Sequence, residues 1–433
     1  MTIFLLLEKM LGIFFLPANY AFTKHQGLYY FYDKKPEVDT VLIGPSVVYS
    51  ALNPKIFDEE MNKHTINFST SAQDLVDSYY ILDEVFDSRK IDNVILGIHP
   101  EWQIYKRSHW EEQVALSSMN TYDIFKPSLR KVNYFLNSFS PDDYASVFFK
   151  SYRYRGNKFA AVRKLVNEHA LLLDDNILNE QKYYKGYVYS DEAMQNGYAG
   201  PVPENLILEK NAVINDKKME YLLKIAELCQ KNDVELTVVF PPKHLACAYA
   251  YDCSDLYRLI QTTLAEYDVD CFDFNLAKPN YIQWQDDDFR NMDHLSTKGG
   301  NKLSKLIIGL KKEMDEGIYQ ANEWFYSSYK EMINAKKQVV NTWLTTNYVA
   351  KTAQIQLDAH AYYHPSIIPE YQFLYKTSED MEFSILQDFS ASRSCLFMPE
   401  ENTSYIFQVK TRAKQNSLDL QQAEIAYLQG DTQ

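Results

Sequence analysis

Short apolar runs alternate with segments in which apolar residues recur every three to four positions, and this alternation predicts strands followed by amphipathic helices. Val38 to Ile43 reads as a buried strand, after which Pro45 and Ser46 open a turn into a short helix ending near Asn53-Pro54. Thr65 to Phe68 reads as a second strand. The small polar run Ser69 to Gln73 follows, and then a helix carrying Leu75, Tyr79, Leu82 and Phe86 on one face. Val94 to Ile98 is a third strand, set between Asp92-Asn93 and His99-Pro100. Further on, Lys217 to Lys231 reads as a helix, Val234 to Phe240 as a strand stopped by Pro241-Pro242, Leu256 to Tyr267 as a helix and Val269 to Phe274 as a strand. A last helix starts at Ser296 or Thr297 and buries Leu303, Ile307 and Leu310. Strand, helix, strand, helix in this order predicts an α/β unit with a parallel sheet flanked by helices and right-handed crossovers.

The rhythm breaks twice. Between residues 101 and about 215 it is irregular and rich in Tyr and Phe, with helical stretches at Asp142 to Phe149 and Lys158 to His169, and it reads as an insertion over the sheet edge. From 319 to 337 the chain reads as a linker or helix. Beyond it, residues 338–433 show short period-two runs at Tyr371 to Tyr375, Met381 to Leu386, Ser404 to Thr411 and Ile425 to Leu428, separated by turn residues. These predict a C-terminal β-sandwich-like domain with a core of Phe373, Tyr375, Phe383, Ile385, Tyr405, Phe407 and Val409. A length of 433 residues agrees with more than one globular unit.

Charge and cysteine content narrow the partners. A net charge of -14 without a long basic run argues against nucleic acid, whose binding needs clustered Lys and Arg. The one basic stretch, from Lys150 and Arg153 through Arg155 and Lys158 to Arg163 and Lys164, reads as a solvated helix face or a membrane-surface patch. The five cysteines have no CxxC spacing; Cys247 and Cys253 alone are close enough for a local disulfide, and free thiols are the simpler state. Residues 1–35 hold an apolar segment, Ile3 to Leu16, that is interrupted by Glu8 and Lys9 and stops at Pro17. It is shorter than the about 20 apolar residues a crossing helix needs, and reads as a membrane-anchor remnant or a buried N-terminal helix. Membrane association therefore stays open.

The candidate chemistry lies at two distant points. Gly44-Pro45-Ser46 ends a strand in a corner that would present a hydroxyl at the carboxyl edge of the sheet, and Asn291-Met292-Asp293-His294 immediately precedes the last helix. These segments resemble the nucleophile and last blocks of the SGNH or GDSL-type hydrolase superfamily, and Asn67 to Gln73 and Val94 to Gly97 its second and third blocks; more narrowly, the resemblance is to the bacterial exopolysaccharide and cell-envelope branch. The resemblance covers about residues 36–318. It implies an SGNH-like sheet, Ser46 as nucleophile, His294 as base, Ser46 and Ser69 as backbone oxyanion donors, an extracytoplasmic, membrane-associated location and a glycan or acylated polymer as substrate. No cofactor is called for.

Several positions depart from the family pattern. Pro45 stands where Asp is usual. Asn291 stands three residues before the histidine where Asp is common; its amide oxygen can hold the imidazole tautomer but brings no charge. We place Asn291 first as the orienting residue and Asp293 second, since a side chain next to the histidine turns back to its ring only awkwardly. No Asn follows Gly97, so His99 is either an oxyanion donor or a strand-end residue with a satisfied ring. Trp102 and Trp284 read as stacking walls for a sugar or as packing. His360 and His364 have metal-like spacing but sit in a strand-like region and read as surface residues, so no metal site is assigned.

The sequence thus predicts a serine esterase or O-acyltransferase acting on a cell-envelope polysaccharide. The alternative is a weakened SGNH-fold protein that binds glycan or a partner protein during polymer assembly. A third reading, a cytoplasmic α/β protein with coincidental motifs, stays open.

Overall fold

The structure is a computed structural model that describes residues 31–32, 37–104, 108–157, 183–194, 200–207, 213–400 and 403–427, together with residue 15. Strands β1 (Thr40–Ile43), β2 (Thr65–Asn67) and β3 (Asn93–Gly97) are followed by a small hairpin, β4 (Tyr183–Tyr184) and β5 (Tyr187–Val188), and then by β6 (Glu235–Phe240) and β7 (Asp270–Asp273). Apart from the hairpin, these strands form one five-stranded parallel sheet in the order β2-β1-β3-β6-β7. From β1 the chain moves to one edge and then returns to place β3 on the other side. The crevice between the carboxyl ends of β1 and β3 is therefore the topological switch point, where open α/β sheets bind ligands.

Both sheet faces are covered, so the inner strands β1, β3 and β6 carry apolar residues on both sides. Val41, Ile43, Val94, Leu96 and Val238 pack under the helices Leu75–Ser88, Asp216–Lys231 and Ser254–Leu264. Leu42, Ile95, Val239 and Phe272 face the opposite way, onto Ser46–Ala51, Pro54–Met61 and Thr297–Asp315. The helix Pro54–Met61, which the apolar pattern missed, starts at Asn53, whose side chain accepts the Lys55 N–H, and has Pro at its first position.

After β3 the chain leaves the sheet through Ser108–Ile124 and Leu129–Ser138, two helices where the sequence pattern showed only irregularity. Of the basic stretch, Arg153 is no solvated residue: its side chain is buried, and Arg153 and Lys150 both pair with Asp123. Lys158 to His169, and nearly all of the N-terminal apolar segment, lie outside the described residues. No helix among the described residues is long and apolar enough to cross a membrane. All five cysteines are free, which excludes the Cys247–Cys253 disulfide.

Two helices, Ala321–Trp324 and Tyr329–Lys336, lead into an antiparallel region of β8 (Val339–Val349), β9 (Gln354–Tyr363), β10 (Pro369–Thr377), β11 (Ser384–Ser390), β12 (Ser394–Phe397), β13 (Tyr405–Ala413) and β14 (Asn416–Tyr427). One sheet runs β11-β10-β13-β14 and the other β12-β9-β8. Leu344, Ile355 and Leu357 of the second sheet share a core with Phe373, Phe407 and Val409 of the first, as in a sandwich. Tyr405 is buried with them and Tyr375 packs at the margin, whereas Ile385 is not core: it is 59% exposed on edge strand β11. Phe383 is half-buried, with the Lys376 ammonium 4.7 Å over its ring. His364 is buried rather than superficial, with its ring nitrogens bonded to Ser366 and Asn334, and His360 stacks on Trp343.

Helix Thr297–Asp315 lies against helix Ser46–Ala51 with little clearance. A Cβ at Gly300 would come 2.5 Å from the Ser50 carbonyl oxygen and 2.5 Å from the Tyr187 hydroxyl, so only glycine fits this crossing. Gly300→Ala should therefore cost about 1–3 kcal/mol, the usual range for overpacking. Gly309 on the same helix has room, with Trp324 3.9 Å from the same position, so Gly309→Ala should stabilise by about 0.4–1 kcal/mol. Chemical denaturation of both variants reads the opposite signs.

Asp77 is buried, and burial first, then Asp74, pushes its carboxyl up to about 7 despite donors from Tyr134, Ser118 and the Asp74 backbone. The folded chain thus holds this proton more tightly than the unfolded chain. Its contribution is fully present below the unfolded value near 4 and is lost as pH rises through about 7. Melting temperatures should fall over that interval, and Asp77→Asn should flatten the slope.

Candidate active site

Ser46 is the first residue of its helix, directly after β1, and His294 lies in the turn before helix Thr297–Asp315. Although 248 residues separate them, His294 Nε2 stands 2.7 Å from Ser46 Oγ. Asn67, at the end of β2, donates to the Val48 and Leu52 carbonyls and so fixes the far end of the Ser46 helix. Gly97 lies beneath it, where a Cβ would fall 2.2 Å from Val48. Gly97 is thus a packing residue under the Ser46 helix.

The His294 turn is built by local bonds. Asn291 Oδ1 accepts the backbone N–H groups of Asp293 and His294 at 3.2 and 2.8 Å, and the Arg290 N–H donates to the His294 carbonyl. Met292 is buried beside Ala246, Cys247 and Val340, while its carbonyl accepts the His244 N–H. Pinned in this way, the turn brings Asp293 Oδ1 to 2.8 Å from His294 Nδ1; Asn291 Oδ1 is 3.2 Å from the same atom. The expected ranking is reversed in the geometry. The adjacent Asp293 does reach the ring, because Asn291 spends its oxygen on folding the turn.

His99 supplies the second contact that the sequence left open. Its ring is buried and its Nε2 lies 3.3 Å from Asp293 Oδ2, so each carboxylate oxygen meets one imidazole. Burial alone would raise the Asp293 carboxyl, but the charge and hydrogen bond of His294, then those of His99, hold it well below the ordinary carboxylate range. The His99 N–H donates to Gln103 Oε1 at 2.6 Å, Gln103 Nε2 to the Gln73 carbonyl, and Thr70 Oγ1 to Gln73 Oε1. Gln73 and Gln103 thus join the strand ends beneath the site. Gln103 was not singled out in the sequence, where only a glutamine next to an apolar strand-to-helix junction marks it.

The oxyanion side is less complete. The Ser69 N–H donates to Asn67 Oδ1 at 3.0 Å and is not directed at Ser46, which corrects its expected donor role; its hydroxyl is buried without a partner among the described residues. The Ser46 N–H, at the amino end of its helix, has no acceptor among the described residues. Trp102 lies in the helix Pro100–Gln103, but its side chain is outside the described part. Trp284 packs with its ring centroid 6.0 Å from that of Phe289. No group of three or more metal-ligating side chains occurs among the described residues.

No family model matches the chain, and no curated protein matches it. Among solved structures, an engineered protein aligns over 93% of this chain and 96% of its own, with 6% identity and a TM-score of 0.14, a likeness too slight to bear on fold or chemistry.

If Asn291 builds the turn, Asn291→Ala should lower stability by about 1–3 kcal/mol, since two hydrogen bonds of about 0.5–1.5 kcal/mol each are lost. Amide exchange should accelerate at Asp293 and His294 while the sheet amides stay protected.

Proposed function

We propose that the protein is an SGNH-like serine esterase or O-acyltransferase acting on an acylated cell-envelope polysaccharide. The observation that carries this reading is the relay of Ser46, His294 and Asp293, with contacts of 2.7 and 2.8 Å. Ser46 Oγ attacks the ester carbonyl carbon, its proton passes to His294 Nε2, and Asp293 stabilises the resulting imidazolium. The tetrahedral oxygen takes the Ser46 N–H. Collapse expels the alcohol, which leaves with the proton from His294. Water or a sugar hydroxyl, deprotonated by the same nitrogen, then releases the acyl group. The polysaccharide substrate and an extracytoplasmic, membrane-associated location belong to the proposal through the resemblance of the sequence blocks.

A second reading has its own support. The Ser69 N–H is committed to Asn67, and His99 stands where the family resemblance leads one to expect an Asn donor, which leaves few donors for an oxyanion. This favours a protein that holds glycan, or a partner in polymer assembly, with little turnover.

A fluorophosphonate should label wild-type protein at Ser46, and Ser46→Ala should lose both the label and any aryl-ester cleavage. Equal cleavage by both proteins would refute the nucleophile. Since Asp293 already faces the ring, Asp293→Asn should lower turnover by up to about four orders of magnitude, as the corresponding change does in the chymotrypsin-type triad, whereas Asn291→Asp should bring no gain. A rise in turnover in Asn291→Asp would return the orienting role to residue 291.

A further inference from the structure

A cleft of about 890 Å³ opens between the α/β unit and the sandwich, and Ser46 is not among its lining residues. Its walls come from the segment leading to the His294 turn, from helix Tyr329–Lys336 and from β8 and β14; Ile282, Trp284, Gln285, Lys336, Gln338 and Gln421 carry the argument. The volume lies within the range of about 300–1,000 Å³ typical of ligand sites.

The charges in this cleft do not balance. Three lysines, Lys243, Lys298 and Lys336, line it together with two aspartates, Asp286 and Asp287, although the whole chain carries a net charge of -14. Both aspartates are already engaged: Asp287 with Lys298 at 2.6 Å and Asp286 with the buried His244 at 3.1 Å. The Lys336 ammonium has no ion pair or hydrogen bond among the described residues. Burial alone pushes its ammonium below the usual lysine range, with no carboxylate near enough to offset the cost. A half-buried cation without a counter-ion costs free energy that an incoming anion would recover.

The rest of the lining points to the kind of anion. The glutamine amides are neutral and offer both a donor and an acceptor, which suits vicinal hydroxyls, while Trp284 and Ile282 supply apolar surface for the face of a sugar ring. We propose that this cleft binds an acidic oligosaccharide, with Lys336 pairing to a carboxylate of the glycan. The choice of a glycan rests on the polysaccharide half of the reading above, but not on acyl transfer at Ser46.

Isothermal titration calorimetry on the full chain, carrying Ser46→Ala to prevent turnover, tests it with two probes: a hexamer of galacturonic acid and the neutral maltohexaose. The uronate hexamer should bind, and maltohexaose should bind at least about tenfold more weakly. Lys336→Met should weaken the uronate at least about tenfold, and Lys336→Arg should largely restore it. Fluorophosphonate labelling of Ser46 in otherwise wild-type protein carrying Lys336→Met should be unchanged, which also shows that the variant is folded. No uronate binding, equal binding of both hexamers, or uronate binding indifferent to Lys336→Met would each overturn the proposal. Loss of Ser46 labelling in the wild type with uronate binding intact would instead overturn the esterase reading and leave the cleft assignment standing.

Discussion

The site depends on how closely two backbones approach one another. Helix Ser46–Ala51 is held between β3 below and helix Thr297–Asp315 above, and at each contact a side chain is absent: Gly97 makes room for Val48, and Gly300 admits the Ser50 carbonyl. If either face were thicker by one methyl group, Ser46 and the turn carrying His294 would be pushed apart. A hydrogen bond of 2.7 Å across 248 residues tolerates little of that. Close packing at these two glycines, against the Val48 side chain and the Ser50 carbonyl, is therefore the physical origin of the serine-histidine contact.

Electrostatics then settle which groups face each other. A carboxylate in a largely enclosed place is costly unless hydrogen bonds and opposite charge compensate for burial. Asp293 meets both conditions by placing one oxygen at His294 and the other at His99, and the buried amides of Gln73 and Gln103 continue the support to the ends of the neighbouring strands. The imidazole facing Ser46 is thereby held from behind by a rigid polar lattice. The proposed role of His294 as general base draws on preorganisation of this kind, which removes the need for rearrangement.

The sheet was legible because its strands are buried on both faces and bounded by turn residues, so their apolar runs stand out. The region after β3 was not legible, since its helices bury only part of their surface and carry aromatic and charged residues throughout; Arg153, which looked like a solvated cation, is in fact buried against Asp123. In the sandwich, β8 escaped notice because threonine and asparagine fill positions that pattern reading assigns to polar loops, and of β9 only the part around His360 read as strand-like. Thr342 is nevertheless buried and meets the Thr411 hydroxyl of the opposite sheet at 2.7 Å.

By itself the sequence determined the order of the elements, the parallel character of the sheet and the candidacy of Ser46 and His294, since each follows from local periodicity or from a residue at a strand end. The carboxylate facing the histidine was decided only by the tertiary structure. Spacing along the chain favoured Asn291, but the burial of Met292 and the two backbone bonds to the Asn291 side chain fold the turn so that Asp293 points back at the ring. The same holds for His99 and for the unpaired Lys336: the partners of a polar group, or their absence, depend on segments far away in sequence that only the fold brings together.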